Sequence, residues 1–472
     1  MGMNALREAM GFDDAHPLSL KRLDSAPENR LHVHYVASSS NEDQLTLSLV
    51  PASTKILRSE HASISAEAML LQWLSVGHVG LLAKEGQITH EASGGSNSEA
   101  KWSKHASQFK NALPRVVKQG RVKCPGDVEF LLTKRARGAL LSSLVDTLSK
   151  PQQRCIDFQI GQLIGELSAY QSPNGHFGVA SAVLKAAGIR YTTSTSPPVL
   201  VPTEKVVNDS VHPRWSDAFL SLFESVLRDA EDVALSLEYD RLRFHAGRFK
   251  KILDEVTVPC LVILDAGEYV NVHIAPSGDS ATQELKDFMQ RHGQTHFGTE
   301  KPQHVAAALL EPYRPAEKQA DDKPDPVPAA PTTTCHSPNV PRVIGVQDWH
   351  NSVFGDPLFT SVLTRSKNTN IWDGLMNQNG HVESKAIREA IGLAKDSQHV
   401  DVRRLLYDCY HSATTIVKEY YRVTVDGDDR ELPARRRLLQ AIVRLDDLDD
   451  QGRMIHPNPC SAHPIEKRKK SD

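Results

Sequence analysis

At Gly138 the hydrophobic period of the chain changes, and this change constrains the fold more than any other feature. Before it, apolar and polar residues alternate. The stretch LHVHYVASSSNEDQLTLSLV, from Leu31 to Val50, alternates twice around a polar Ser/Asn/Glu/Asp group, which predicts a β-hairpin. ISAEAMLLQWL follows with an apolar face at Ile64, Ala68, Leu71 and Leu74, the spacing of a helix. After a polar stretch, VEFLLTKRA (Val128 to Ala136) reads as a further strand.

Beyond Gly138 the spacing becomes three and four. ALLSSLVDTL (Ala139 to Leu148) predicts a short amphipathic helix, and Ile156, Ile160, Leu163, Ile164 and Leu167 predict a core-facing one. The pattern recurs through Phe219, Leu222, Phe223, Val226 and Leu227, and again from Leu405 to Tyr420. Two strand patterns interrupt it, CLVILDAGEYVNVHI (Cys260 to Ile274) and VIGVQDW (Val343 to Trp349). Between them, Glu311 to Pro341 is rich in Pro, Ala and charge, a composition that buries too little surface to order a backbone. With that insertion looped out, the two strands can pair and bring Asp265, Asn271 and Asp348 to one edge.

The class is therefore α+β, a small antiparallel β lobe with one helix followed by a larger, mostly helical lobe. The expected divisions are an N-terminal extension over 1–28, the β lobe over 29–135, the helical lobe over 136–450 with its insertion near 311–340, and a polar tail over 451–472. Lys plus Arg total 55 against 58 for Asp plus Glu, a formal charge of −3, so no global charge draws the chain to nucleic acid or an anionic membrane. Six scattered cysteines fit a reducing, cytoplasmic setting. No stretch approaches the roughly 20 apolar residues of a membrane span, and no signal-peptide core is recognisable. The histidines are dispersed along the sequence and predict no four-ligand metal set. Asp348 itself, between a strand and Trp349, reads either as a turn acid or as a ligand for something positive.

The order of β lobe, "FLLTKRARGALLSSL", "IGQLIGELSAYQSPNGHFG", "PCLVILDAGEYVNV", "GVQDWHNSVFGDPLF" and the late helix "RRLLYDCYHSATTIVKEYYR" resembles the aminoglycoside phosphotransferase and choline kinase family in its fungal form, over roughly residues 30 to 450. The most specific match is Asp348-Trp349 followed by Phe354-Gly355-Asp356-Pro357. The resemblance implies a bilobal protein-kinase-like fold, ATP and Mg²⁺ as cofactors, and a small-molecule hydroxyl as phosphate acceptor. It places Asp265 as the catalytic acid, Asp348 and Asn271 as Mg²⁺ ligands, and Glu67 as the helix glutamate that organises the phosphate side. Ser39 and Ser40 would lie in the turn over the phosphates, and Leu132, Lys134 and Ala136 in the hinge that meets adenine.

The sequence departs from the family at four places. Ile263 and Leu264 replace the His-Gly before the acid, Asn271 lies one residue late, and a Ser/Asn turn replaces the glycine-rich one. Ser48 stands where the strand lysine is expected, with Lys55 the nearest lysine. These departures carry the alternative, a catalytically degenerate pseudokinase that serves as a ligand-binding or interaction module.

Overall fold

The computed structural model describes residues 19–23, 29–38, 44–60, 63–88, 113–122, 128–134, 138–189, 211–275, 341–365, 368–376 and 397–455, with side chains in the helix over 63–88 described to residue 75. Ser39, Ser40, Ala136 and the Pro-rich insertion lie outside the described residues.

Five antiparallel strands form the first sheet, in the order β1-β2-β3-β5-β4: β1 (Ser19–Arg22), β2 (Val33–Ser38), β3 (Gln44–Leu49), β4 (Arg115–Val122) and β5 (Val128–Lys134). The expected hairpin is β2–β3, in register from Val33 opposite Leu49 to Ser38 opposite Gln44. Side chains on β5 point alternately to two cores. Phe130 and Leu132 join a cluster with Leu47, Leu49, Val122 and Val128, whereas Leu131 joins the main core with helix α1 (Ser63–Ile88).

The rest is mainly helical, with α2 (Lys150–Ser168), α3 (Trp215–Asp232), α4 (Thr369–Met376), α5 (Ser397–Tyr421) and α6 (Gly427–Asp446). Helix α2 starts at a reciprocal cap: Ser149 Oγ accepts from the Gln152 amide, and the Gln152 side chain accepts from the Ser149 amide at 2.9 Å. It packs so tightly on α4 that a Cβ at Gly161 would lie 2.0 Å from the Ile371 carbonyl, and one at Gly374 1.9 Å from the Phe158 carbonyl. Only glycine permits that approach.

Two small antiparallel sheets complete the larger part. One has the order β11-β10-β6, from β6 (Ala139–Leu140), β10 (Val272–Ala275) and β11 (Arg342–Val346). The other, β8-β7-β12-β9, combines β7 (Phe177–Val179), β8 (Val211–His212), β9 (Cys260–Ile263) and β12 (Ser352–Gly355). The pairing of β10 with β11 is the expected one. The helix expected over 139–148 does not form: Ala139 and Leu140 pair with Ile274 and His273, and two short 3₁₀ turns follow. A free ladder edge on β10 competes successfully with the helical preference of so short a segment.

The Gly355-Asp356-Pro357 turn is pinned from below. Asp356 Oδ2 accepts from Arg403 Nη1 at 2.8 Å and Tyr407 Oη at 2.7 Å, while Oδ1 accepts from the Leu358 amide at 3.0 Å. Trp215 Nε1 in turn donates to Tyr407 Oη at 2.7 Å. Arg403 thus has a structural partner inside the lobe. The small β part and larger helical part agree with the layout that the resemblance implies. No helix among the described residues is long and apolar enough to cross a membrane.

Candidate functional site

Asp265 lies in the loop between β9 and β10, Asn271 at the end of that loop, and Asp348 just beyond β11, so the pairing of β10 with β11 draws the three together. Asn271 is the fastener. Its Oδ1 accepts from the amides of Gln347 at 3.1 Å and Asp348 at 2.8 Å. Its Nδ2 donates to the carbonyls of Asp265 and Asp348, each at 3.3 Å. The side chain is fully buried and spans both loops.

Asp265 is half-buried, and its Oδ1 is buried without a hydrogen-bond partner. Burial pushes its pKa up to about 6; the charge of Asp348 adds to the rise, and Arg30 and Lys418 oppose it. A carboxyl tuned this way accepts a proton near neutral pH, the property of a general base. Lys418, on α5, is itself shifted downward by burial.

Asp348 is 1% exposed and heavily engaged. Arg30 Nη1 donates to Oδ2 at 2.8 Å. His32 Nδ1 lies 3.1 Å from Oδ1, and His34 Nε2 lies 3.0 Å from the same oxygen. Burial alone would raise this carboxyl; the imidazoles of His34 and His32 outweigh it and hold Asp348 well below the usual carboxylate range. His32 shows the reciprocal effect. Burial would lower it, but Asp348 and Glu67 raise its pKa to about 10.

Glu67, on α1, therefore meets a histidine instead of the lysine implied by the resemblance, with His32 Nδ1 3.3 Å from its Oε2. Ser48 sits opposite His34 in the β2–β3 register, and its hydroxyl contacts His34 Nδ1 at 2.8 Å. The positive groups of the site come from β2 and the residues before it, one strand over from the expected place. Lys55 is an exposed loop residue. Leu132 is buried on β5 and Lys134 exposed at its end, while Ser39, Ser40 and Ala136 lie outside the described residues.

Sequence reasoning missed Arg30, His32 and His34. A signal was available: the three stand at alternate positions in RLHVH, which places them on one face of an extended chain. Folding also gathers residues that the sequence left dispersed: His32, Glu67, Asp348 and His350 each bring a potential ligand atom within 4.8 Å of the others. Folding joins residues that are 318 positions apart at the extremes, a proximity that sequence spacing does not reveal.

No family model matches the chain, and no curated protein matches it. Among solved structures it is similar to a candidate aminoglycoside phosphotransferase from Ralstonia eutropha, at 10% identity and a TM-score of 0.44 over 94% of this chain and 98% of that one. A candidate fructosamine-3-kinase from Haemophilus somnus follows at 11% identity and a TM-score of 0.39, over 92% and 96%. The streptomycin–ATP–APH(2″)-IIa ternary complex gives 13% identity and a TM-score of 0.40, over 96% and 97%. At these scores the likeness assigns no family, activity or ligand to this chain.

Proposed function

We propose that the chain is an ATP- and Mg²⁺-dependent phosphotransferase that transfers the γ-phosphate to a hydroxyl of a small molecule, in a cytoplasmic setting. The observation that supports this most is Asp265, whose buried, unpartnered Oδ1 and raised pKa suit a group that orients an attacking hydroxyl and takes its proton. Asp348 and Asn271 stand beside it, held by shared hydrogen bonds.

The donor set fits a hard cation through oxygen. Asp348 is kept ionised, while the unpartnered Asp265 Oδ1 stays available to the acceptor hydroxyl. Asp348 would hold Mg²⁺ through Oδ2 once Arg30 leaves it, and the freed guanidinium would then be available to a phosphate. Asn271 would join as a ligand on releasing one of its two amide donors, and otherwise serves by holding Asp348 in place. Bound Mg²⁺ would supply charge neutralisation across the phosphates. Glu67 would act on the phosphate side through His32, and Ser39, Ser40, Leu132, Lys134 and Ala136 remain the residues proposed for the nucleotide.

One observation favours the second reading, a non-catalytic ligand-binding or interaction module: both oxygens of Asp348 are already engaged by Arg30, His32 and His34. Calorimetry of ATP with and without Mg²⁺, on the natural chain and on Asp348→Ala, decides between them. Metal-dependent binding that disappears in the variant supports the phosphotransferase. Absence of binding at millimolar ATP favours the module.

A further inference from the structure

We propose that His32, Glu67, Asp348 and His350 form a binding site for a divalent transition metal of the Zn²⁺ class. Each offers a ligand atom, and the four atoms lie within 4.8 Å of one another. Two imidazoles with two carboxylates make a mixed nitrogen and oxygen set, which favours Zn²⁺ and its neighbours over Mg²⁺ or Ca²⁺, ions that prefer oxygen alone.

The distances are close to those a tetrahedral ion needs. Bonds of about 2.0–2.1 Å set neighbouring ligand atoms roughly 3.3 Å apart. His32 Nδ1 is 3.1 Å from Asp348 Oδ1 and 3.3 Å from Glu67 Oε2. Three of the four atoms therefore need little movement. The fourth comes from His350, whose side chain is 6% exposed and whose buried Nδ1 has no hydrogen-bond partner. That nitrogen is 3.9 Å from Asp348 Oδ1, and its ring centroid is 4.3 Å from that of His32. An orphaned buried imidazole nitrogen is costly, and coordination would satisfy it.

The surroundings orient the set as metal sites require. His32 Nε2 contacts Ser63 Oγ at 3.0 Å, which fixes the ring with Nδ1 toward the carboxylates, and a metal there would displace the proton that Nδ1 carries between them. Arg30 holds Asp348 Oδ2 at 2.8 Å and thereby turns Oδ1 toward the histidines. His34 is fixed by Ser48 at 2.8 Å and lies 3.0 Å from the same Oδ1, on hand as a fifth donor. The two faces of the carboxylate are distinct, Oδ1 toward the imidazoles and Oδ2 toward Arg30. The transition-metal site and the Mg²⁺ nucleotide site are therefore separate inferences, and either can fail alone.

The test uses the full chain after chelation and dialysis. Titration with Zn²⁺ by calorimetry should give one tight site, and Co²⁺ should give the intense visible absorption of a tetrahedral ion. Excess Mg²⁺ should not displace either. H350A and, separately, E67Q should each weaken Zn²⁺ binding by about tenfold or more while ATP binding in Mg²⁺ is measured in parallel. X-ray absorption of the Zn²⁺-loaded natural chain should show a nitrogen and oxygen shell with two or three imidazoles, a readout that needs no variant to fold. A shell containing cysteine sulfur or lacking imidazole overturns the site, as does Zn²⁺ affinity unchanged in a folded H350A.

Discussion

Glu60→Gln is the perturbation with the clearest expected magnitude. Glu60, in a 3₁₀ turn after the first hairpin, is 2% exposed and meets Arg422 just past the end of α5. The pair is bidentate, with Arg422 Nη2 to Oε1 at 2.7 Å and Nη1 to Oε2 at 2.8 Å, and Oε2 also accepts from the Leu57 amide at 3.0 Å. Burial would raise the carboxyl, but the Arg422 hydrogen bonds and the charge of Lys418 outweigh it and bring its pKa down to about 2. Against an ordinary value near 4.5, that depression corresponds to about 3 kcal/mol at 1.36 kcal/mol per pH unit. This agrees with the 3–5 kcal/mol typical of removing one partner from a buried pair.

The pH dependence follows from the sign of the shift. A carboxyl depressed on folding contributes its full stabilisation above the unfolded value near 4.5 and loses it as pH falls toward 2. Glu60→Gln should therefore lower the unfolding free energy by about 3 kcal/mol at pH 7, and its penalty should shrink steadily between pH 4.5 and pH 2. Urea unfolding of both chains across that range measures it. A penalty below about 1 kcal/mol at pH 7, or one that does not change with acid, would refute the argument that the carboxylate is a buried, charge-paired link between the two parts of the chain.

On the phosphotransferase proposal, Asp265→Asn should reduce phosphate transfer by about 10²–10⁴-fold with ATP affinity retained, and the natural chain's rate should fall as pH drops through about 6, when Asp265 takes up a proton; steady-state pH profiles of both chains check this. Gly161→Ala should cost about 1–3 kcal/mol or more, because its Cβ would lie 2.0 Å from the Ile371 carbonyl; thermal unfolding with Gly247→Ala, whose Cβ would meet nothing within 4 Å, as control measures the difference.

The parts of the fold that were legible in the sequence share one property, a regular apolar period. The β2–β3 hairpin alternates apolar residues toward the smaller cluster, and the helices through Ile156, Phe219 and Leu405 repeat theirs toward the main core. Strand β4 was not legible, because at the sheet edge its Arg115–Val122 side chains are exposed or half-buried except Val122 and carry no apolar period. The meeting of Asp265, Asn271 and Asp348 was legible in the pairing of their two strands, and the roles expected of them came from the family resemblance. Their cationic neighbours were not legible, since Arg30 and His32 precede the strand proper and their partners Asp348 and Glu67 become neighbours only on folding.

Asn271 has a mechanical consequence. A single planar amide grips the Asp265 carbonyl on one loop and the amides and carbonyl of Gln347 and Asp348 on the other. Neither loop can drift without dragging its neighbour, so thermal excursions of the two acids are correlated and their separation is steadier than either position. The spacing of the two carboxylates is thereby protected from the softness of the loops that carry them. The amide protons of Gln347 and Asp348 should exchange with solvent in step, as one opening unit.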